Sequence, residues 1–291
     1  MPALRKDISM KTRIITAIVA ICILLPILIF SDTVVFPMAM AICAAVAIYE
    51  MSACIGLKKA WGLTVPAYLL ALGLPFLIRY GDGIEALRQY AFAIICVVIL
   101  YFFAVLTFSH GKYKLADVAI WFMTSFYILL GFNAILVLRD YEAAGGKYVY
   151  LLVFIGAWVT DTFAYFCGML LGRGGKHKLI PDVSPKKTWE GSIGGVVFCM
   201  IAMVIFGVIV NKISDYQANY LLLVIAGFLI SIVSQVGDLC MSVIKRTYGI
   251  KDYGKLFPGH GGVLDRFDST LAVAVILAAF CSFFDFFQKV S

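Results

Sequence analysis

Charged residues and glycines crowd together near the carboxyl end of the chain, in the stretch KDYGKLFPGHGGVLDRFDS (251–269). Its charged and histidine residues are Lys251, Asp252, Lys255, His260, Asp265, Arg266 and Asp268, with Gly254, Gly259, Gly261 and Gly262 between them. Glycine lets the backbone approach a ligand closely and adopt positive φ, and aspartate oxygens are ligands that Mg²⁺ prefers. The stretch therefore predicts a site for a cation and phosphate groups.

Asp238 lies in the apolar run before this stretch and shares a helix face with other polar residues. Asp238, Ser242, Lys245 and Arg246 stand at i, i+4, i+7 and i+8, on one side of a helix. With Asp265 and Asp268, Asp238 could form a carboxylate cluster. The alternative is a basic helix end that reaches out of a membrane, which explains Lys245 and Arg246 but explains Asp238 poorly.

A second polar segment, SPKKTWEG (184–191), has the pattern of a helix start. Ser184 would be the N-cap and Pro185 the first helical residue. Free N–H groups at a helix N-terminus attract anions, and Lys186 and Lys187 would add positive charge. The segment predicts a phosphate receptor, or it is simply the basic end of a membrane span.

Asp161 lies about midway along another apolar run, GAWVTDTFAYFCGMLLG (156–172). A carboxylate at that depth costs about 2.5–3.5 kcal/mol on insertion scales. Asp161 is either a site residue that faces a wet cavity or an acid paired with a neighbouring Lys or Arg. The same run carries small residues at four-residue spacing, which permit close helix contact; they are Gly156, Thr160, Ala164, Gly168 and Gly172.

The elements that position these residues are membrane helices. The chain of 291 residues is 63% hydrophobic and 14% charged, whereas soluble domains are about 45–50% apolar and about 25% charged. The apolar runs are unbroken and about twice the length of β-barrel strands. Nine spans are predicted, at 13–30, 34–54, 62–79, 90–108, 117–138, 149–171, 190–210, 219–243 and 267–287. The third is the weakest, because it contains Pro66 and Pro75.

We therefore expect an all-α integral membrane protein, a polytopic bundle in which residues 1–291 form one domain. Its N-terminal spans would occupy about 13–138 and its catalytic half about 149–287. The eight cysteines lie inside apolar runs and form no C-x-x-C pair, so we interpret them as small hydrophobic residues.

The distribution of Lys and Arg predicts the orientation. With the N-terminus in the cytoplasm, only six of the 24 Lys and Arg residues lie on the outer side: Arg79, Arg88, Arg139, Lys147, Lys212 and Lys289. This asymmetry favours a cytoplasmic N-terminus and a C-terminus outside. It places both polar loops, 172–189 and 244–266, on the cytoplasmic side.

The segment SVIKRTYGIKDYGKLFPGHGGVLDRFD (242–268) resembles the signature of phosphatidate cytidylyltransferases, also called CDP-diacylglycerol synthases. The fixed positions include S-x-x-K-R, K-D and P-x-H-G-G-x-x-D-R-x-D. SPKKTWEG and QVGD (235–238) are similar to other blocks of that family. The resemblance is good over residues 155–270, and the first 150 residues share only hydropathy.

The resemblance implies that CTP and phosphatidic acid are converted into CDP-diacylglycerol and pyrophosphate in phospholipid biosynthesis, with Mg²⁺ as cofactor. It implies that Asp238 and Asp265 hold the metal, with K⁺ as an optional second cation, and that Ser184, Lys187 and Lys245 lie near phosphates. It also implies a homodimer in the bacterial cytoplasmic (inner) membrane, with its active site at the cytoplasmic face. Membrane lipids are expected partners, and nucleic acid is not.

The candidate site residues follow from the motifs and the resemblance together. The candidate catalytic residues are Asp238, Asp265, Lys245, Arg266, Asp268 and His260. The candidate substrate-binding residues are Ser184, Lys186, Lys187, Thr188, Glu190, Asp161, Ser242, Arg246, Lys251, Asp252, Gly261 and Gly262. For His260, a role in stabilising the turn and a catalytic role both stay open.

Nucleotidyl transfer needs positioning and charge neutralisation rather than covalent help from the protein. A phosphatidate oxygen is already ionised at pH 7, which fits a site rich in Asp, Lys and Arg. One alternative is a CTP-dependent lipid kinase, whose neutral hydroxyl nucleophile would need a general base. Another is an anion transporter in which Asp161 and Asp238 are coupling sites, although the chain has no repeated halves.

Overall fold

Nine α-helices and two small antiparallel ribbons make up the part of the chain that the computed structural model describes, residues 10–141, 145–172 and 177–290. The helices are α1 (Met10–Ile29), α2 (Val35–Ile55), α3 (Trp61–Tyr80), α4 (Gly83–Phe108), α5 (Leu115–Asp140), α6 (Gly146–Leu171), α7 (Trp189–Ile213), α8 (Tyr220–Thr247) and α9 (Leu264–Cys281). The strands are β1 (Lys178–Ile180), β2 (Ser184–Thr188), β3 (Tyr216–Ala218) and β4 (Phe287–Lys289); β1 pairs with β2, and β3 with β4.

Seven of these helices, α2 to α8, are long and apolar enough to cross a membrane. The predicted helical membrane protein is confirmed at this level, and α3 is one continuous helix in spite of Pro66 and Pro75. The apolar part of α1, Ile14–Ile29, is shorter, and α9 begins with charged residues. The count of nine spans and the sides of the termini therefore stay predictions. Arg5, Lys6, Arg173 and Lys176, which contribute to the predicted charge asymmetry, lie outside the described residues.

The ninth predicted span, 267–287, is wrong at both ends. The helix begins at Leu264 and ends at Cys281, and Phe287 already belongs to β4. Phe286 and Phe287 are fully buried, and the Phe287 ring packs edge-on against Tyr148 and Phe206. The phenylalanines after Cys281 therefore extended the hydrophobic pattern without extending the helix, and Phe287 packs against α6 and α7 from a strand.

The small residues of α6 allow α7 and α8 to approach closely, as their spacing predicts. A Cβ added at Gly191 of α7 would lie 2.4 Å from the carbonyl oxygen of Ala164, and one at Gly195 would lie 3.0 Å from that of Thr160. A Cβ at Gly156 would lie 2.4 Å from Ile230 of α8. Close helix packing of this kind relies on small residues, and it brings the ends of α6, α7 and α8 together.

Helix α9 lies inside the bundle and contacts α2, α5, α6 and α8. Its Leu271, Val273, Ala274 and Leu277 are fully buried. A Cβ at Gly131 of α5 would lie 2.6 Å from Leu271, so α5 also approaches α9 closely. This packing fixes the acidic first turns of α9 against four other helices.

Candidate active site

The end of α8 and the β1–β2 ribbon meet at an ion pair. Lys187 Nζ of β2 lies 2.6 Å from Asp238 Oδ2 of α8, and the two side chains are 21% and 26% exposed. Within the described part of the chain, Lys187 Nζ makes no well-directed hydrogen bond, so charge holds this pair. The Ser242 hydroxyl donates to Asp238 Oδ1 at 3.4 Å. Two predicted substrate-binding residues are thus gathered around one predicted metal ligand.

The predicted helix start at Ser184 is wrong. Residues Ser184–Thr188 form β2, which pairs with β1 in an antiparallel register that joins Lys178 with Thr188 and Ile180 with Ser184. The helix begins later, at Trp189, and Thr188 is its N-cap, with its hydroxyl accepting from the Gly191 N–H at 3.2 Å. Pairing with β1 holds the S-P-K-K sequence extended, and the threonine four residues after Ser184 takes over the capping role.

Lys186 and Glu190 also lie in this region but do not meet at the ion pair. Lys186 is exposed on β2. Glu190 lies in the first turn of α7, with Oε1 2.5 Å from His177 Nδ1. Among the described residues, the Lys187–Asp238 pair is the ion pair that joins the ribbon to α8.

A second cluster joins α8 to α9. Lys245 Nζ lies 3.0 Å from Asp265 Oδ1 and 3.7 Å from Asp268 Oδ2, and it stands 5.2 Å from the centre of the Tyr253 ring. All three charged residues are buried. Because the three side chains are buried, little water competes for their charges. The cluster therefore holds α8 and α9 together at this point.

Asp265 also folds the glycine-rich loop that precedes its helix. Its Oδ2 accepts backbone N–H groups from Tyr253 at 2.8 Å, Gly254 at 3.4 Å and Gly262 at 2.9 Å. Gly261 has φ of 85°, and a Cβ there would lie 2.6 Å from Asp265 Oδ2. Both oxygens of Asp265 are therefore occupied by partners from this chain.

Two tyrosines tie the same loop to the helices. The Tyr253 hydroxyl donates to the Met241 carbonyl oxygen at 2.8 Å, and the Tyr248 hydroxyl donates to Asp117 Oδ1 at 2.8 Å. Burial raises the pKa of Tyr253, and burial with the neighbouring Asp117 raises that of Tyr248. Both phenols therefore stay protonated, and stay donors, throughout the physiological pH range.

Asp161 lies near the middle of α6 and contacts the start of α9. Its Oδ2 accepts from the Ser269 hydroxyl at 3.0 Å, and the residue is exposed. It interacts electrostatically with Asp238, Lys187 and Arg266, and Asp268 interacts with both Asp161 and Asp238. An exposed carboxylate within a span is tolerated where it faces a water-filled space. Both interpretations of Asp161, a site residue facing water and an acid paired with a neighbouring cation, therefore stay predictions.

The remaining predicted residues lie at the edge of this arrangement. Arg246 is exposed and donates to the Ile250 carbonyl oxygen at 3.1 Å, away from Asp238. Its position on α8 is on the predicted face, but its guanidinium binds the turn after α8 rather than Asp238. Lys251, Asp252 and Arg266 are exposed.

His260 occupies the tight turn of the loop. Its backbone N–H donates to the Phe257 carbonyl oxygen at 2.8 Å, and Phe257 N–H donates to the Gly261 carbonyl oxygen at 2.8 Å. The turn is therefore closed by the backbone rather than by the imidazole. Its Nδ1 is buried and has no hydrogen-bond partner in the described part of the chain.

The donor set suits a hard cation at Asp238 better than at Asp265. Magnesium takes one or two carboxylates and completes its shell with water and substrate phosphates. Within the described ranges, no three His, Cys, Asp or Glu side chains converge as a metal site. Asp238 and Asp268, which interact electrostatically, supply carboxylates of the right kind. A cation at Asp238 would displace the partly exposed Lys187 from Oδ2, whereas a cation at Asp265 would displace the buried Lys245 from Oδ1.

Sequence reasoning missed Glu50, Asp117, Tyr248, Tyr253 and Ser269. Glu50 of α2 is buried against the loop and accepts from the Val263 and Leu264 N–H groups. One signal was available, because Glu50 is the only acid in the predicted span 34–54, and a lone acid in a span is a candidate functional residue.

Comparisons with known proteins point to one family. The family model described as the cytidylyltransferase family matches residues 11–284. The chain is similar to the phosphatidate cytidylyltransferase of Staphylococcus haemolyticus, with 35% identity over 271 residues, 92% of this chain and 97% of the relative. It is also similar to the proteins of the same name from Staphylococcus saprophyticus, with 31% identity over 268 residues, and from Staphylococcus aureus, with 33% identity over 275 residues. Both alignments cover 92% of this chain and 97% of the relative.

Proposed function

The chain belongs to the cytidylyltransferase family, and we propose that it makes CDP-diacylglycerol and pyrophosphate from CTP and phosphatidic acid. The observation that carries this proposal is the polar site at one end of the bundle. There the Lys187–Asp238 ion pair and the buried Lys245 cluster flank the exposed Asp161. Cations and carboxylates set among membrane helices suit the transfer of a nucleotide to a lipid phosphate.

The proposed reaction is an exchange at the α-phosphorus of CTP. A phosphatidate oxygen forms a bond to that phosphorus, and the bond to the oxygen that bridges to the β-phosphate breaks, so pyrophosphate leaves with the bonding electrons. The nucleophile is already ionised at pH 7, so no proton has to be removed. The protein's part is to align the two phosphates and to stabilise the charge of the transition state.

Lys187 and Arg266 are the cations placed to do this. Lys187 is only partly buried and held by charge alone, so an incoming phosphate can share it with Asp238. Arg266 is exposed close to Asp161. Lys245 is committed to Asp265 and Asp268, and its role is to keep those acids in place beneath the phosphates.

Magnesium is the cofactor that we propose for this site, with K⁺ as an optional second cation. Asp238 would hold it with the help of Asp268, since these carboxylates interact and Asp268 accepts one backbone N–H group in the described residues, from Ser269, whereas Asp265 accepts three. When bound, Mg²⁺ would neutralise charge on the CTP phosphates and on the departing pyrophosphate.

We further propose that the protein is a single domain with nine spans in the bacterial cytoplasmic (inner) membrane and that it acts as a homodimer. The excess of Lys and Arg supports a cytoplasmic N-terminus and a C-terminus outside. The same count supports an active site at the cytoplasmic face, where soluble CTP can meet a membrane lipid. The homodimer has its support in the family resemblance.

The decisive experiment uses the full-length protein purified in detergent, with phosphatidic acid and CTP labelled in the base or in the γ-phosphate. We expect labelled CDP-lipid and free pyrophosphate, and loss of both products when Mg²⁺ is chelated. In a parallel reaction with a polyprenol in place of phosphatidic acid, release of CDP and transfer of the γ-phosphate label to the polyprenol would instead identify a CTP-dependent kinase. Uptake of an anion by vesicles without CTP chemistry would identify a transporter.

A further inference from the structure

Glu50 is a buried acid in the N-terminal half of the chain that the reaction does not require for chemistry. It lies on α2 and is 4% exposed. Its Oε1 accepts from the Val263 N–H at 3.0 Å and its Oε2 from the Leu264 N–H at 2.8 Å. The donors follow the acceptor by more than 200 residues in the chain, so this contact joins α2 directly to the start of α9.

The two N–H groups belong to the N-terminus of α9, which has no cap from its own segment. Val263 is the N-cap position, and its side chain cannot accept a hydrogen bond. First-turn N–H groups have no partner within their helix, and they carry the positive end of its dipole. Glu50 supplies both acceptors and a negative charge, so it caps α9 from another helix.

Two glycines of the loop leave room for the Glu50 carboxylate. A Cβ added at Gly262 would lie 2.1 Å from Glu50 Oε1, and one at Gly254 would lie at the same distance from the same atom. Gly262 is also held from the other side, because its N–H donates to Asp265 Oδ2 at 2.9 Å. Asp265 and Glu50 therefore accept hydrogen bonds from consecutive backbone N–H groups of the loop, those of Gly262 and Val263.

We propose that Glu50 is a positioning residue for catalysis, and that it fixes the loop 253–263 and the first turn of α9. Asp265, Arg266 and Asp268 all lie in the first turns of the helix that Glu50 caps. Glu50 touches neither nucleotide nor lipid; it sets where these three side chains stand relative to Asp238 and Lys187. The catalytic consequence rests on the proposed cytidylyltransferase reaction, and the backbone contact does not.

Hydrogen exchange on the full-length protein in detergent tests the contact without any assay of activity. In the wild-type protein the amides of Val263 and Leu264 should exchange at least about tenfold more slowly than uncapped first-turn amides, because both are bound. Glu50→Gln keeps the size of the side chain but turns an NH₂ toward one donor, and should speed exchange across 253–264. Fast exchange of these amides in wild type would overturn the proposal, whatever the variants do.

Kinetics separate positioning from a general role in folding. For Glu50→Gln we expect kcat per folded molecule to fall about tenfold or more, since small misplacement of catalytic groups costs that much, while KM for CTP changes less. The matched control is Glu85→Gln, an exposed acid in the first turn of α4, which should keep wild-type kcat. A purely structural role would reduce the yield of folded protein and leave its kcat unchanged, and that result would contradict the proposal.

A double substitution tests the glycine contact. Gly262→Ala should by itself lower turnover strongly and speed amide exchange in the loop. Adding Glu50→Ala should slow that exchange again relative to Gly262→Ala alone, because the three nearest atoms to the new methyl all belong to Glu50. Strictly additive effects would show that Glu50 does not occupy this position. If wild type shows protected amides but makes no CDP-lipid, the proposed function fails while the contact stands.

Discussion

Lys187 Nζ and Asp238 Oδ2 lie 2.6 Å apart, and this ion pair joins a surface ribbon to a membrane helix. Each partner supplies what a different component of the reaction needs: Lys187 can bind a phosphate, and Asp238 can bind a cation. In the absence of both, the two side chains neutralise each other. On the proposed function, a magnesium nucleotide would replace this pairing by giving the acid a metal and the lysine a phosphate.

Replacing Lys187 with alanine should weaken substrate use. The phosphate would lose a charge-assisted contact, worth about 1.5–3 kcal/mol, or about 10- to 150-fold in kcat/KM, and Asp238 would lose its counter-charge. Steady-state kinetics with varied CTP and varied phosphatidic acid measure the change. Lys212→Ala, at the other end of the following helix, is the control and should behave as wild type. Unchanged kinetics in Lys187→Ala would mean that this lysine serves membrane orientation alone.

Replacing Asp265 with asparagine should abolish turnover while the helices remain folded. The amide removes the full charge opposite Lys245 and presents an NH₂ either to that lysine or to the loop N–H groups, which already donate. We expect at least about a 100-fold loss in kcat, since a small misplacement of catalytic groups costs about that much. Circular dichroism checks helical content, and Asp215→Asn at the opposite end is the control. Near-normal Mg²⁺-dependent activity would contradict this role.

Gly261→Ala and Gly249→Ala compare two glycines that both have positive φ. Alanine at either position bears a left-handed strain of about 1–2 kcal/mol. Only at Gly261 does the new Cβ also meet a side chain, 2.6 Å from Asp265 Oδ2, whereas Gly249 has open space within 4 Å. We therefore expect a large loss of activity for Gly261→Ala and a small loss of thermal stability alone for Gly249→Ala. Equal activities would show that Asp265 is not packed against this turn.

Thr188→Ala should destabilise the start of α7 by about 1 kcal/mol, because it removes the N-cap acceptor. Thr188→Ser keeps the hydroxyl and should unfold near the wild-type temperature in detergent. Ser184→Ala should change stability by less than about 0.5 kcal/mol, since Ser184 lies in β2 rather than at the helix start. If Ser184→Ala were the more harmful change, the helix would begin where the sequence pattern alone places it.

The orientation can be tested with a tag after Ser291. With nine spans and a cytoplasmic N-terminus, the tag should react with an impermeant reagent on intact cells or spheroplasts. A tag after Lys251, on the predicted cytoplasmic loop, should stay protected until the membrane is opened. Protection of the Ser291 tag would give an even number of spans, with α1 or α9 as the helix that does not cross.

Hydropathy was enough to predict the helices, because a membrane span must be long, apolar and internally hydrogen-bonded. Within the described residues a helix covers most of each of the nine predicted spans, including α3 with its two prolines. The pattern failed at residues 282–287, where the helix has ended although the chain stays rich in phenylalanine, and where only Phe286 and Phe287 are buried. The helix-start pattern at Ser184 failed for another reason. Capping patterns are local, and strand pairing with 178–180 overrides them.

For the site, the sequence by itself determined the chemistry. Acids, lysines and glycines at fixed spacing are properties of the chain, and they indicate cation and phosphate binding before any fold is known. Spacing along one helix also predicted that Asp238 and Ser242 would meet. Only the tertiary structure decided the partners between elements: Lys187 with Asp238, Asp265 with three loop N–H groups, and Glu50 with the start of α9. Those pairings depend on how closely helices approach and how they are rotated, which packing of the whole bundle sets and no local pattern encodes.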